Sequence, residues 1–364
     1  MVMANGSPSV VLAAMADGIG DLSFGSDEWI DLARETLVAA AARHADGLAG
    51  VRFTLCEVAH NPPRYLHAGA KVAWHATIEG ASVTAGRGEL NEGECDFKVE
   101  GDHSILSNLT RIQYHGRDPK IVFAARARLS KLSRWKMSGG LPENKALAAI
   151  LRTLHDTLAV RTLPRFVFMT PEWVSSARAV LSARATSEKY ADGIKDDEFT
   201  FSEEFTDTPA YAFPDGSHGG FWVNVNHGEI TVGAGPLPEQ YQPADMQTKG
   251  AYTPVVPVGR HVNTALTDAE KEEEAVYKKA AFARDKETGE FPVGQTATKQ
   301  MSPDLGRVFA VLHDELSKRS SGELPLDFIE GLKPAWATPQ SFDRDPGYES
   351  WVKYDEFDIY GNPR

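Results

Sequence analysis

The Leu-His-Asp triplet at 154–156 returns at 312–314, so His155-Asp156 and His313-Asp314 are the first candidates for chemistry. An imidazole beside a carboxylate can take and return a proton near neutral pH. Successive residues on a helix, however, point about 100° apart, so Asp156 cannot orient the His155 ring as a triad acid would. A helix-packing histidine with an exposed aspartate is the plainer reading. His218, His227 and Glu229 form the densest ligand-like cluster. If 225–231 is a strand, positions 227 and 229 share a face, which suits proton transfer or two ligands of one metal. Gly228 stands between them where Gly80 stands in the first half of the chain, so a solvated hairpin tip is the simpler alternative. These three residues are the catalytic candidates, and no metal site is assigned.

The ligand-binding candidates are Trp74, Trp222, Arg126, Arg128 and Trp135. Arg126, Arg128, Lys131, Arg134 and Lys136 gather positive charge around Leu129, Leu132 and Trp135 in an otherwise acidic chain. Such a basic amphipathic stretch could guide an anionic lipid, an acyl-coenzyme A or a membrane surface, or it could pair with acidic surface elsewhere on the protein. Trp29, Trp74, Trp173 and Trp222 could line a cavity, although repeated tryptophans at such spacing also suit an ordinary core. No G-x-G-x-x-G follows a strand, and there is no P-loop, G-x-S-x-G or H-E-x-x-H. No cofactor is therefore expected.

The elements that must position these residues come twice. Phe24-Gly25-Ser26-Asp27-Glu28-Trp29 returns as Phe168-Met169-Thr170-Pro171-Glu172-Trp173, with the Phe, hydroxyl, Glu and Trp at one constant offset. Ser26 and Thr170 fit an N-cap, Pro171 fits the first helical position, and the acidic residues face the positive end of the helix dipole. Trp29, Ala33 and Leu37 then answer to Trp173, Ala177 and Leu181, the four-residue spacing of a helix buried on one face. Downstream, Phe53-Thr54 with Glu57 matches Phe199-Thr200 with Glu203, Trp74 with Gly80 matches Trp222 with Gly228, and Asp96 with Gly101 matches Asp245 with Gly250. A repeat this long predicts two similar domains rather than a solenoid.

In the first half, the patterning predicts a helix over 26–45, strands over 51–58, 70–79, 81–86 and 95–99, and a helix near 101–109. A turn at Ser138-Gly139-Gly140 and a long helix over 144–163 follow. The second half predicts strands over 198–205, 220–226 and 229–234. It also predicts a capping box at Thr267 and a final helix from Ser302-Pro303. The expected boundaries are a flexible arm at 1–22, a first lobe at 23–165, a second lobe at 166–334 and a tail at 335–364 that packs on the body or a partner.

At 364 residues, a net charge of −13 argues against a general nucleic-acid binder. Two cysteines without redox or zinc spacing, and no apolar run of spanning length, predict a reduced, cytoplasmic protein.

Helix, mostly antiparallel sheet, then helices on one face is an α+β layout. With the hairpin at Trp74–Gly86, the strand Cys95-Asp96-Phe97-Lys98-Val99-Glu100-Gly101-Asp102 and the closing Leu-His-Asp helix, the chain resembles the sterol carrier protein type 2 family, over 24–163 and more weakly over 168–320. The resemblance implies a tandem pair of lobes, each with helices on a five-stranded sheet around an apolar tunnel for lipids, sterols or acyl chains. The stretch 252–300 departs from that pattern and is expected to reshape or lose its tunnel. The leading expectation is a binder of a hydrophobic small molecule, with transient membrane contact and homo-oligomerisation as further possible partnerships. One alternative is a lyase, hydratase or hydrolase using His218, His227, Glu229 and His261 on an apolar substrate. The other is a non-catalytic scaffold docking through the aromatic tail.

Overall fold

The Ser26 hydroxyl accepts the Trp29 backbone N–H at 3.2 Å and so caps α1 (Asp27–Arg43), whose first turn carries Asp27 and Glu28. From this helix the chain runs into β1 (Arg52–His60), β2 (Lys71–Glu79), β3 (Ser82–Arg87) and β4 (Phe97–Asp102). Then come α2 (His103–Thr110), β5 (Trp135–Gly139) and α3 (Lys145–Arg161). The strands form one sheet in the order β3-β2-β1-β4-β5, with β1 and β4 parallel and every other pair antiparallel.

The computed structural model describes residues 20–116, 135–140, 143–208, 213, 216–260, 262–283 and 292–321. These fall into two compact units, with the division between Pro164 and Arg165. No helix among the described residues is long and apolar enough to cross a membrane.

The second unit repeats the first. Thr170 caps α4 (Pro171–Ala185), accepting the Trp173 N–H at 3.3 Å, with Pro171 at its start. After a short helix α5 (Ala191–Ile194) come β6 (Glu198–Thr206), β7 (Gly219–Asn226), β8 (Glu229–Ala234) and β9 (Met246–Ala251). They are followed by α6 (Tyr252–Arg260), α7 (Asp268–Phe282), β10 (Val293–Ala297) and α8 (Pro303–Arg319). The sheet order is β10-β9-β6-β7-β8, which is the order of the first sheet read from its other edge. Here too the central pair, β6 with β9, is parallel and the rest are antiparallel. The architecture is therefore α+β in two lobes, each a five-stranded mixed sheet with helices packed against it.

The correspondence extends to individual bonds. Asp96 accepts the Thr54 N–H at 2.7 Å and Asp245 accepts the Thr200 N–H at 2.8 Å, each tying β1 or β6 to the loop before the parallel strand. His103 at the start of α2 meets the Phe24 carbonyl at 2.9 Å, and Tyr252 at the start of α6 donates to the Phe168 carbonyl at 2.8 Å. The tryptophans of α1 and α4 are wholly or almost wholly buried.

Several sequence expectations are corrected. Trp135–Gly139 is an edge strand rather than the end of a basic amphipathic element followed by a turn, because its backbone completes the β4 ladder. Its counterpart β10 and the helix α6 lie in the stretch expected to depart from the pattern, and α6 carries Pro257 within it, a residue that reads as a breaker. Residues 20–22, placed in the arm by sequence, pair with the end of α3: the Leu22 N–H donates to the Arg161 carbonyl at 2.8 Å. Arg126, Arg128, Lys131, Arg134, His261 and the tail from 335 lie outside the described residues.

Candidate functional site

β1 is buried on both faces, so its side chains divide by alternation alone. Phe53, Leu55 and Glu57 point toward α2 and α3, where a cavity of ≈ 320 Å³ opens between helices and sheet. Trp74 from β2, Phe97 and Val99 from β4, and Trp135 and Met137 from β5 complete the sheet wall. Leu106 and Leu109 of α2 and Leu147, Leu151 and Leu154 of α3 form the helical wall, with Thr110, Tyr114, Arg152 and His155 as polar members.

The second lobe builds a cavity of ≈ 200 Å³ from the same positions. Phe201 stands for Leu55, Glu203 for Glu57, Phe221 for Trp74, Thr248 for Val99, Phe309 for Leu151 and His313 for His155. The two exchanges of Leu for Phe put larger side chains into this smaller space.

Glu57 and Glu203 are the chemically distinctive groups. Each keeps part of its surface accessible, as the wall of an open cavity does, and is otherwise enclosed by protein. Burial raises the Glu57 carboxyl from 4.5 to about 7, against the opposing pull of the Trp74 indole, whose Nε1–H donates to Oε2 at 2.7 Å. Burial alone raises Glu203 to about 7, and among the described residues no hydrogen bond reaches it. Neither carboxyl has a cationic partner among the described residues. Two acids therefore sit half-protonated near neutral pH inside apolar walls.

The histidines of the repeated triplet also face these cavities. His155 stacks edge-on against Tyr114 at 5.2 Å between ring centroids. His313 lies 3.3 Å from the Asn263 amide, and burial lowers its pKa from 6.5. The adjacent aspartates turn away to hold backbone: Asp156 accepts the Tyr114 N–H at 2.6 Å and Asp314 the Asn263 N–H at 2.8 Å. Both residues of each pair act on one neighbour, Tyr114 in the first lobe and Asn263 in the second: the imidazole meets its side chain and the aspartate holds its backbone N–H.

The predicted catalytic cluster is not assembled. His218 and His227 flank opposite ends of the eight-residue β7, about 30 Å apart at the rise of a strand. His218 pairs with Glu204 at 2.7 Å and His227 with Glu198 at 3.2 Å, both on the surface. His227 and Gly228 form the β7–β8 turn with φ of 49° and 77°, so Glu229 does not continue a strand face from His227. Among the described residues no group of three His, Cys, Asp or Glu could hold a metal.

Of the predicted ligand-binding residues, Trp74 and Trp135 line the first cavity and Trp222 lines neither. The register pairs Glu57 with Trp74 but Glu203 with Phe221, so Trp222 corresponds to His75 and faces the opposite side of its sheet. There its ring lies 5.1 Å from Tyr241 and directly over Gly233, where any Cβ would clash with it. Glu57 and Glu203 were visible in sequence as a matched pair, but the Phe-Thr-Leu-Cys-Glu-Val run has no polar alternation to reveal which face they take.

No protein-family model and no curated protein matches the chain. One similar solved structure is that of a conserved hypothetical protein from Thermus thermophilus, described as a possible sterol carrier protein. Its identity is 15%, it covers 40% of this chain and 94% of its own, and its TM-score is 0.27. A likeness this slight decides neither fold nor function.

Proposed function

We propose that this protein binds small apolar molecules, with one site between sheet and helices in each lobe. The observation that carries the reading is the ≈ 320 Å³ cavity of the first lobe, whose walls are apolar apart from a few polar groups. Cavities of this size with few polar groups are the usual form of small-molecule sites. The resemblance of the sequence to the sterol carrier protein type 2 fold points the same way. We take the lobes, 23–165 and 166–334, as products of a tandem duplication, since strand order, capping and buried bonds repeat together. Trp74 and Trp135 act as binding residues of the first site.

Native mass spectrometry of the delipidated protein with long-chain alcohols, fatty acids, sterols and acyl-coenzyme A tests the reading. One or two bound molecules of an apolar ligand are expected, with the first taken up in lobe one. No uptake of any class would overturn it.

A second reading, proton transfer on such a ligand, is favoured by one observation: an acid and an imidazole share each cavity, Glu57 with His155 and Glu203 with His313. Incubating the protein with apolar ketones in deuterated water tests it. Deuterium appearing next to the carbonyl, reduced in His155→Gln and lost when His313→Gln is added, is the expected sign; no exchange removes the reading.

A further inference from the structure

The two cavities differ in size and in most of their lining, yet both place a glutamate at one register position of the central strand. In the first lobe the carboxyl has the Trp74 indole as a partner. In the second that partner is replaced by Phe221, which offers no hydrogen bond, and the glutamate is still there. A carboxyl that served only to receive the indole would have no reason to stand in the second cavity. Nor is either glutamate part of an ion pair among the described residues, unlike Glu100 on β4 and Glu204 on β6. Glu100 is held by His60 and Lys136, and Glu204 by His218 and Lys249.

A buried carboxyl with no cation costs least when protonated, and it is then a hydrogen-bond donor aimed into an apolar space. Its complement is an oxygen that carries no charge. We propose that Glu57 and Glu203 are the groups that recognise the polar end of the ligand. Each donates the proton of its neutral carboxylic acid to the oxygen of an uncharged alcohol, ketone or ester whose apolar body fills the cavity. This assignment rests on the binding function proposed above and narrows its ligand class, disfavouring free fatty-acid anions. A carboxylate ligand would face an acid that must stay neutral, and the one permanent cation of the lining among the described residues, Arg152, is exposed to solvent.

Among the described residues, the ionisable groups facing Glu57 are Tyr114, beyond the end of α2, and Arg152 and His155 on α3. Arg152 is exposed, and the sheet contributes no further charge to the lining. Glu203 faces His313 from α8, which burial favours in its neutral form. Ionisation of the two glutamates is therefore the step that should remove the donors, and the raised carboxyls lose their protons across neutrality.

The test uses the full chain and three probes with the same tail: dodecanol, dodecanoate and dodecylammonium. Binding is measured by isothermal titration and native mass spectrometry at about pH 5.5 and about pH 8.5, either side of the raised carboxyl range. Dodecanol should bind tighter than dodecanoate. Its affinity should fall on the order of tenfold to thirtyfold at the higher pH, since only the protonated fraction of each site is competent. Glu57→Gln and Glu203→Gln keep a neutral donor, so each should flatten the pH dependence at one site and the double variant at both. Imidazoles titrate in the same range, so His155→Gln is measured alongside and should keep the dependence.

Dodecanol binding that ignores both pH and the glutamine substitutions overturns the role of the glutamates and leaves the cavities as binding sites. Tighter binding of dodecylammonium as pH rises overturns it in favour of an ionised carboxylate. Failure of all three probes to bind overturns this inference, and the binding function falls with it where sterols and acyl-coenzyme A are not taken up either.

Discussion

The Trp29 indole donates to the Thr162 hydroxyl at 2.9 Å, joining the start of α1 to the residue that ends α3. In the second lobe Trp173 donates to Ser320 at 2.8 Å, again from the first turn of the opening helix to the cap of the closing one. Around each indole the rings repeat: Phe24 at 4.8 Å and Trp74 at 5.2 Å in one, Phe168 at 5.2 Å and Phe221 at 5.5 Å in the other. The N- and C-terminal ends of each lobe are thereby closed on one aromatic cluster.

Thr162→Val removes the acceptor without changing the shape, leaving a buried indole N–H unsatisfied. It should destabilise the first lobe by about 1–3 kcal/mol. Trp29→Ala opens a cavity as well and should cost about 3–5 kcal/mol. Urea denaturation followed by far-UV circular dichroism reads both. A neutral Thr162→Val would mean that the indole finds another acceptor.

His227 and Gly228 both take positive φ in the tight β7–β8 turn, and Asn-Gly is the pair best suited to that geometry. His227→Asn should therefore raise stability by about 0.5 kcal/mol and leave ligand uptake unchanged. Gly228→Ala should lower stability, since its Cβ would come within 3.0 Å of the Lys195 Cα. Lost uptake in His227→Asn at unchanged stability would instead return His227 to the functional site.

These residues show what was legible in the sequence. Phe24, Ser26 and Trp29 announce their counterparts because capping and core packing demand particular side chains at fixed helical spacing. Strand register is less visible. The connection between β6 and β7 differs in length from that between β1 and β2, and a slip of one residue sends Trp222 to the other face. The histidine cluster looked compact because its members are close in sequence, but an extended strand separates His218 from His227. The edge strand β5 and the proline-bearing α6 were hidden because short exposed strands and prolines resemble loops.

The size difference between the cavities gives a prediction for specificity. Leu55 and Leu151 of the first lobe are Phe201 and Phe309 in the second. Leu55→Phe with Leu151→Phe fills open space with side chains the same frame already accommodates, so folding should be retained. Affinity for a ligand large enough to fill the ≈ 320 Å³ cavity should fall on the order of tenfold, while smaller ligands bind as before. Titration calorimetry with ligands of graded length checks this. An equal effect on all lengths would mean that these leucines do not bound the site.

The buried glutamates also make stability depend on pH. Glu57 titrates at about 7 when folded and near 4.5 when exposed, so between these values the folded chain holds more protons than the unfolded one. Stability must then fall as pH rises from about 4.5 to 7 and level off above, by roughly 2–3 kcal/mol for Glu57 and similarly for Glu203. The salt-bridged carboxylates act in the opposite sense in a lower range. Glu89, held down to about 2 by Lys71 and Lys98, contributes stability above about 4.5 that is lost as pH falls toward 2. His313, whose pKa is lowered by burial, opposes the glutamates within their own range, because its contribution is present above 6.5 and is lost at lower pH. The difference between wild type and Glu57→Gln isolates the carboxyl from these other groups. The variant should be about as stable as wild type near pH 4.5 and more stable by roughly 2 kcal/mol near pH 8, where wild type must bury a carboxylate. Denaturation midpoints across this range decide it: a difference that does not grow with pH would show that Glu57 is hydrated enough to titrate like a surface acid.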